Sequence, residues 1–208
     1  MKKRRMLLMC WVSIITLAGC AGKGEVIPLQ IHPIMTKSEA VSKPAPTLRV
    51  AIGPIEDSRL YKTGLGVRTH LWGGVSYFDV AGGNPADVVA QALADYLAAK
   101  GWQVTTRGTS DTGADVVLTG KILDFSVHAK SRVGFTEVTT KTKLALQVRN
   151  VADGSTVRMT LNGSGGDDVF WFDEEDAQTV VNDVLTDSFS KLVQDTTVEN
   201  KLLRLKTP

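Results

Sequence analysis

The chain predicts an α+β fold: a mixed, mostly antiparallel sheet of about four to six strands, with two main helices packed on one face. Three observations lead there. Alternating apolar residues recur between 114 and 161, interrupted by the turn chemistry of Asn150-Val151-Ala152-Asp153-Gly154, which predicts consecutive antiparallel hairpins. Two segments, near 84–101 and 173–194, carry an apolar stripe behind a capping signal and predict helices. A strand–helix–strand order early in the chain predicts a right-handed crossover.

Taken in order, Ile27, Leu29 and Ile31 alternate and allow a short edge strand despite Pro28 and Pro33. Leu48–Ile52 reads as a strand that Gly53-Pro54 ends. Residues 60–83, rich in Gly and aromatics, read as a long loop with a strand or hairpin near Val75–Val80. Asn84 as N-cap, Pro85 at the first helical position and Asp87 in the first turn open a helix. Its stripe is Val89, Leu93, Tyr96 and Leu97, and Lys100-Gly101 closes it. Strands follow at Trp102–Thr106, Ala114–Ala129, Val138–Val148 and Thr156–Leu161, with Leu123, Phe125 and Val127 alternating in the second. Gly163-Ser164-Gly165-Gly166 reads as a flexible break. A helix from about Asp173 to Gln194 turns Ala177, Val181, Val184, Leu185, Phe189 and Leu192 inward. A final short helix over Val198–Leu205 completes the expectation.

The first residues form a different kind of segment. Lys2-Lys3-Arg4-Arg5 precedes an apolar run of about 13 residues, Met6 to Ala18, and then Gly19-Cys20. The run is too short to span a bilayer as a helix but suits a signal core. The pattern resembles a bacterial lipoprotein signal peptide with its lipobox. That resemblance implies cleavage before Cys20, a diacylglycerol on its thiol and acylation of the new amino terminus. Ala21, where an Asp would signal inner-membrane retention, favours the outer membrane. The domain plan is then a signal peptide at 1–19, a lipidated Cys and Pro-rich tether at 20–46, and one periplasmic α+β domain at 47–208. As a flexible coil the tether reaches roughly 30 Å, and fully extended nearly 90 Å.

Charge and cysteine content narrow the function. Without 1–19 the basic residues fall from 24 to 20 against 22 acidic ones, and the net charge moves from +2 to −2. The apparent basicity belongs to the targeting segment, so nothing argues for nucleic acid as a partner. Of two cysteines, Cys10 leaves with the signal and Cys20 takes lipid, so no disulfide is available.

No set of residues announces catalysis. The acidic group Asp167, Asp168, Asp173, Glu174, Glu175 and Asp176 could bind a cation or supply an acid–base pair. Four of the six, however, fall in a first helical turn, where they complement the dipole. His32, His70 and His128 lack ligand spacing, so no metal and no other cofactor is expected. No Gly-x-Ser-x-Gly elbow occurs, and the Gly-rich 163–166 run does not open a phosphate-binding helix. Trp72, Tyr77 and Phe78 in the long loop are candidate partner-binding residues, and packing at the end of the sheet explains them equally well. Phe170-Trp171-Phe172 better fits a staple at the start of the last helix.

The run Val181-Asn182-Asp183-Val184-Leu185-Thr186-Asp187-Ser188, followed by Gln194-Asp195-Thr196, resembles the YajG-like lipoproteins of Gram-negative bacteria. Those are short lipoproteins with a Pro-rich tether, an early strand, a sheet and this terminal helix, and no catalytic residues are known for them. The expected function is a non-enzymatic, outer-membrane-anchored periplasmic lipoprotein. Its partners would be the membrane, through its lipid, and an envelope protein. A carrier of a small apolar ligand held between helices and sheet, and a weak hydrolase using the 167–176 carboxylates, are the alternatives.

Overall fold

The computed structural model describes residues 24–32, 48–106 and 113–206. The signal segment, Cys20 and residues 33–47 lie outside the described residues. The strands are β1 (Val26–Leu29), β2 (Arg49–Asp57), β3 (Gly66–Thr69), β4 (Val75–Val80), β5 (Gln103–Thr106), β6 (Val116–Arg132), β7 (Phe135–Asn150), β8 (Thr156–Val169), β9 (Thr196–Glu199) and β10 (Leu202–Leu205). The helices are α1 (Pro85–Ala99) and α2 (Glu174–Gln194).

The protein is mostly β, and this corrects the expected architecture. Among the described residues, strands make up 51% and helices 22%. One sheet holds eight strands, in the order β1-β4-β3-β6-β2-β5, with β7 and β8 continuing from the other edge of β6. The long strand β6 borders β2 along its first half and β3 along its second, both in parallel. Hairpins β3–β4, β6–β7 and β7–β8 are antiparallel. The helices do not form one layer on a flat sheet. Instead α2 packs on β7 and β8 and also meets β1, at the other end of the strand order, so the sheet curls around it. Helix α1 covers β2 and β5, and Tyr96 meets Phe189 of α2 with ring centroids 5.7 Å apart.

Three misread segments account for the difference. The glycines at 163–166 do not break the chain, because β8 runs straight through them paired to β7. A Cβ on Gly163 would lie 2.3 Å from Ser188 Oγ and 2.8 Å from Val184 Cγ1, so their absence of side chains lets α2 lie close on the strand. The segment 60–83 holds the expected strand at Val75–Val80 as β4, but an unexpected strand, β3, pairs with it, and Gly66 lets β3 approach β6 so closely that a Cβ there would strike the Val127 carbonyl. Val198–Leu205 is no helix. It contributes to hairpin β9–β10, turned by Asn200 and Lys201, both in the left-handed region.

Helix α1 is capped as its sequence predicts, with Asn84 Oδ1 accepting from the Asp87 N–H at 2.9 Å. Helix α2 opens on a reciprocal box: Asp173 accepts from the Glu175 N–H, and Asp176 accepts from the Asp173 N–H at 2.7 Å. All six residues expected on its inner face are buried. Phe125 and Val127 are buried as expected, but Leu123 faces outward because a bulge between Ile122 and Asp124 shifts the register.

Within the stretch expected to be tether, the short edge strand that Ile27, Leu29 and Ile31 allow does form, and it joins the sheet at its end. Strand β1 lies parallel to β4, with Ile27, Leu29 and Ile31 buried. The chain beyond it is fixed on α2: Gln30 and His32 donate their backbone N–H groups to Gln178 and Asn182 at 2.8 and 2.7 Å.

Candidate functional site: an apolar rim at one end of the sheet

Register brings one row of strand ends together. Thr69 on β3 pairs with Val75 on β4 and Lys130 on β6, Lys130 with Glu137 on β7, and Glu137 with Asp168 on β8. Beyond that row project the β3–β4 tip, the β6–β7 turn and the exit from β8. They carry Leu71 and Trp72, Val133, and Phe170 and Trp171 respectively. Trp72 is 92% exposed, Val133 85%, Phe170 84% and Trp171 84%. Large apolar side chains this exposed are ordinary singly, but four on one end of a small domain, with Leu71 beside them at 40%, mark a contact surface.

Just inside the rim the packing is firm. Phe172 packs tilted against Phe78 with ring centroids 6.2 Å apart, and the Arg68 guanidinium lies 3.9 Å above the Phe172 ring. His70 Nε2 shares a 2.8 Å hydrogen bond with Ser76 Oγ, while burial first and the nearby Arg68 charge second hold its pKa below the ordinary value. The rim loops thus stand on a fixed base. Further along, Arg59 is buried and grips both oxygens of Asp57 at 2.9 Å, donating also to the carbonyls of Gly64 and Phe125. That pair anchors the bend from β2 into β3.

The expected partner-binding residues separate. Trp72 is at the rim, Tyr77 is half exposed on β4 beside Val26 of β1, and Phe78 is fully buried and presents nothing to a partner. Of the 170–172 run only Phe172 packs as a staple would. Phe170 and Trp171 face outward, contrary to the packing reading. Leu71 and Val133 escaped the sequence reading, although an apolar residue beside Gly134 in a tight hairpin turn was the available signal. Cys20 lies outside the described residues.

Asp173 and Asp176 serve the helix cap, and His128 lies exposed on β6. Among the described residues no group of three His, Cys, Asp or Glu could hold a metal ion. An open groove of about 470 Å³ between β7, β8 and α2 is lined by mixed charges, including Lys141, Lys143, Asp187 and Lys191. The space between helices and sheet, where an apolar ligand was an alternative, is filled by core side chains such as Tyr96, Leu185 and Phe189. No described helix is long and apolar enough to cross a membrane.

Fold and site together define a curled, helix-filled β domain with an aromatic rim. The chain belongs to a family of uncharacterised lipoproteins, whose model matches residues 80–203, in agreement with the YajG-like resemblance of residues 181–196. No curated protein matches the sequence. Among solved structures it is similar to an uncharacterised protein (TM-score 0.50, 8% identity, covering 83% of this chain and 97% of that one). It is also similar to a protein from Xanthomonas campestris (0.47, 10%, 81% and 91%) and to the PelC dodecamer subunit from Paraburkholderia phytofirmans (0.39, 15%, 71% and 93%).

Proposed function

We propose that this protein is a non-enzymatic envelope lipoprotein, held by lipid on Cys20 at the periplasmic face of the outer membrane, that works by binding another envelope component through its rim. The observation that carries the reading is the set of exposed apolar residues at one end of the sheet in a member of a lipoprotein family. The basic, apolar and Gly-Cys order of residues 2–20 supports the lipid, and two or more acyl chains give stable attachment. Trp72 and Trp171 replace the Trp72, Tyr77 and Phe78 set as the binding residues.

Two measurements in native envelopes test this. Labelled palmitate should enter the wild-type chain and be lost in Cys20→Ala. A photo-crosslinking residue placed at 72 or 171 should form adducts with envelope material, whereas one at exposed His128 should not. Labelling that persists in Cys20→Ala overturns the anchor, and adduct-free positions 72 and 171 overturn the binding surface.

A further inference from the structure

The rim is also the end at which the chain arrives. Gly24 donates its N–H to the Val75 carbonyl at 2.8 Å, on the β4 side of the tip that carries Leu71 and Trp72. Val26 then pairs with Tyr77. Only residues 21–23 separate Cys20 from Gly24, and four extended residue steps span at most about 14 Å. Anything attached to Cys20 is thereby confined near the rim. The rim's composition matches that position, because Trp combines a large apolar surface with a preference for the boundary between lipid and water, and Phe and Leu are apolar residues that interfacial segments bury there.

We infer that the rim docks on the bilayer itself, with Leu71, Trp72, Val133, Phe170 and Trp171 set into the lipid interface beside the acylated Cys20. This deepens the proposed function and rests on the lipid reading of Cys20. A protein partner or a second copy would have to occupy a surface that an anchor within about 14 Å of Gly24 already presses toward lipid. Charge around the rim is mixed. Lys130 and Arg132 lie on the β6 side, with Arg132 paired to Glu137 at 3.1 Å, while Asp167, Asp168 and Asp173 to Asp176 lie on the β8 and α2 side. Docking is therefore apolar in origin and gains nothing from anionic lipid.

Tryptophan emission reads this directly, because the processed chain holds only Trp72, Trp102 and Trp171, and Trp102 is buried. The protein is purified from membranes, its mass is taken to score the lipid, and it is reconstituted in phosphatidylcholine vesicles with brominated acyl chains. Trp72→Phe and Trp171→Phe variants separate the two rim signals. Emission from Trp72 and Trp171 should shift to the blue and lose most of its intensity to bromine, while Trp102 keeps its own. Replacing part of the phosphatidylcholine with phosphatidylglycerol should change nothing. Unquenched rim emission in a chain whose mass shows the lipid overturns the docking and leaves the anchor standing. Emission that shifts with protein concentration but ignores bromine assigns the rim to a second copy, and also overturns it. If the mass shows no lipid, the anchor reading fails, and the same quenching with added vesicles decides whether the rim binds lipid alone.

Discussion

Arg59 shows how much one side chain can organise. Its guanidinium is almost fully buried and satisfied by the Asp57 carboxylate and two carbonyls from different segments, so the bend from β2 to β3 closes around it. Its hydrogen bonds hold the Asp57 carboxyl below the ordinary carboxylate range. Asp57→Ala would strand a buried charge. We expect a loss near the lower end of the about 3–5 kcal/mol that breaking a buried pair costs, since Asp57 keeps some exposure. Because the folded carboxyl titrates below the unfolded one, its contribution is complete above about pH 4 and drains away as the pH falls through the folded value. Thermal melts from pH 7 to pH 2 should show a smaller acid-side decline in Asp57→Asn than in the wild type. Parallel declines would mean that this carboxylate does not couple to folding.

At the scale of elements, legibility followed the kind of signal each segment carries. Helices α1 and α2 were readable because their caps and stripes are local, and Asn84 and Asp173 act where the sequence places them. Long strands β6 and β7 were readable from alternation. What stayed hidden depends on distant neighbours. Glycine at 163–166 means a turn when read alone and a close helix–strand contact once α2 is in place. The β9–β10 hairpin turns on Lys201 at positive φ, a residue that does not advertise such a turn. It is held instead by Asn150, whose buried amide accepts from the Leu203 N–H at 2.7 Å and donates to the Leu203 carbonyl at 3.1 Å. Asn150→Leu would leave both groups unpaired, at a cost of about 1–3 kcal/mol each. Amide exchange in 196–205 should then rise well above that in α2, and equal protection in the two elements would contradict a docking role for Asn150.

For the molecule as a whole, β1 decides where the fold begins. It completes the sheet beside β4 and leads the chain onto α2, burying Ile27, Leu29 and Ile31. At about 1.5–3 kcal/mol for each fully buried side chain, those three are worth roughly 5–9 kcal/mol. That rivals the about 5–15 kcal/mol that holds a typical domain together. A chain begun at Thr47 should therefore melt far lower than one begun at Cys20, or aggregate. A melting point within a few degrees would show β1 to be dispensable. The aromatic rim was legible in part, through Trp72, because exposure at a shared end depends on register that no single segment reveals. Strand β6 spans 17 residues, which at about 3.3 Å each makes it about 55 Å long. It starts beside Asn150 and the terminal hairpin and finishes at the rim. With the rim at the lipid, the opposite pole stands at a set height above the membrane. The domain then acts as a measuring post, able to meet only those components that reach its level.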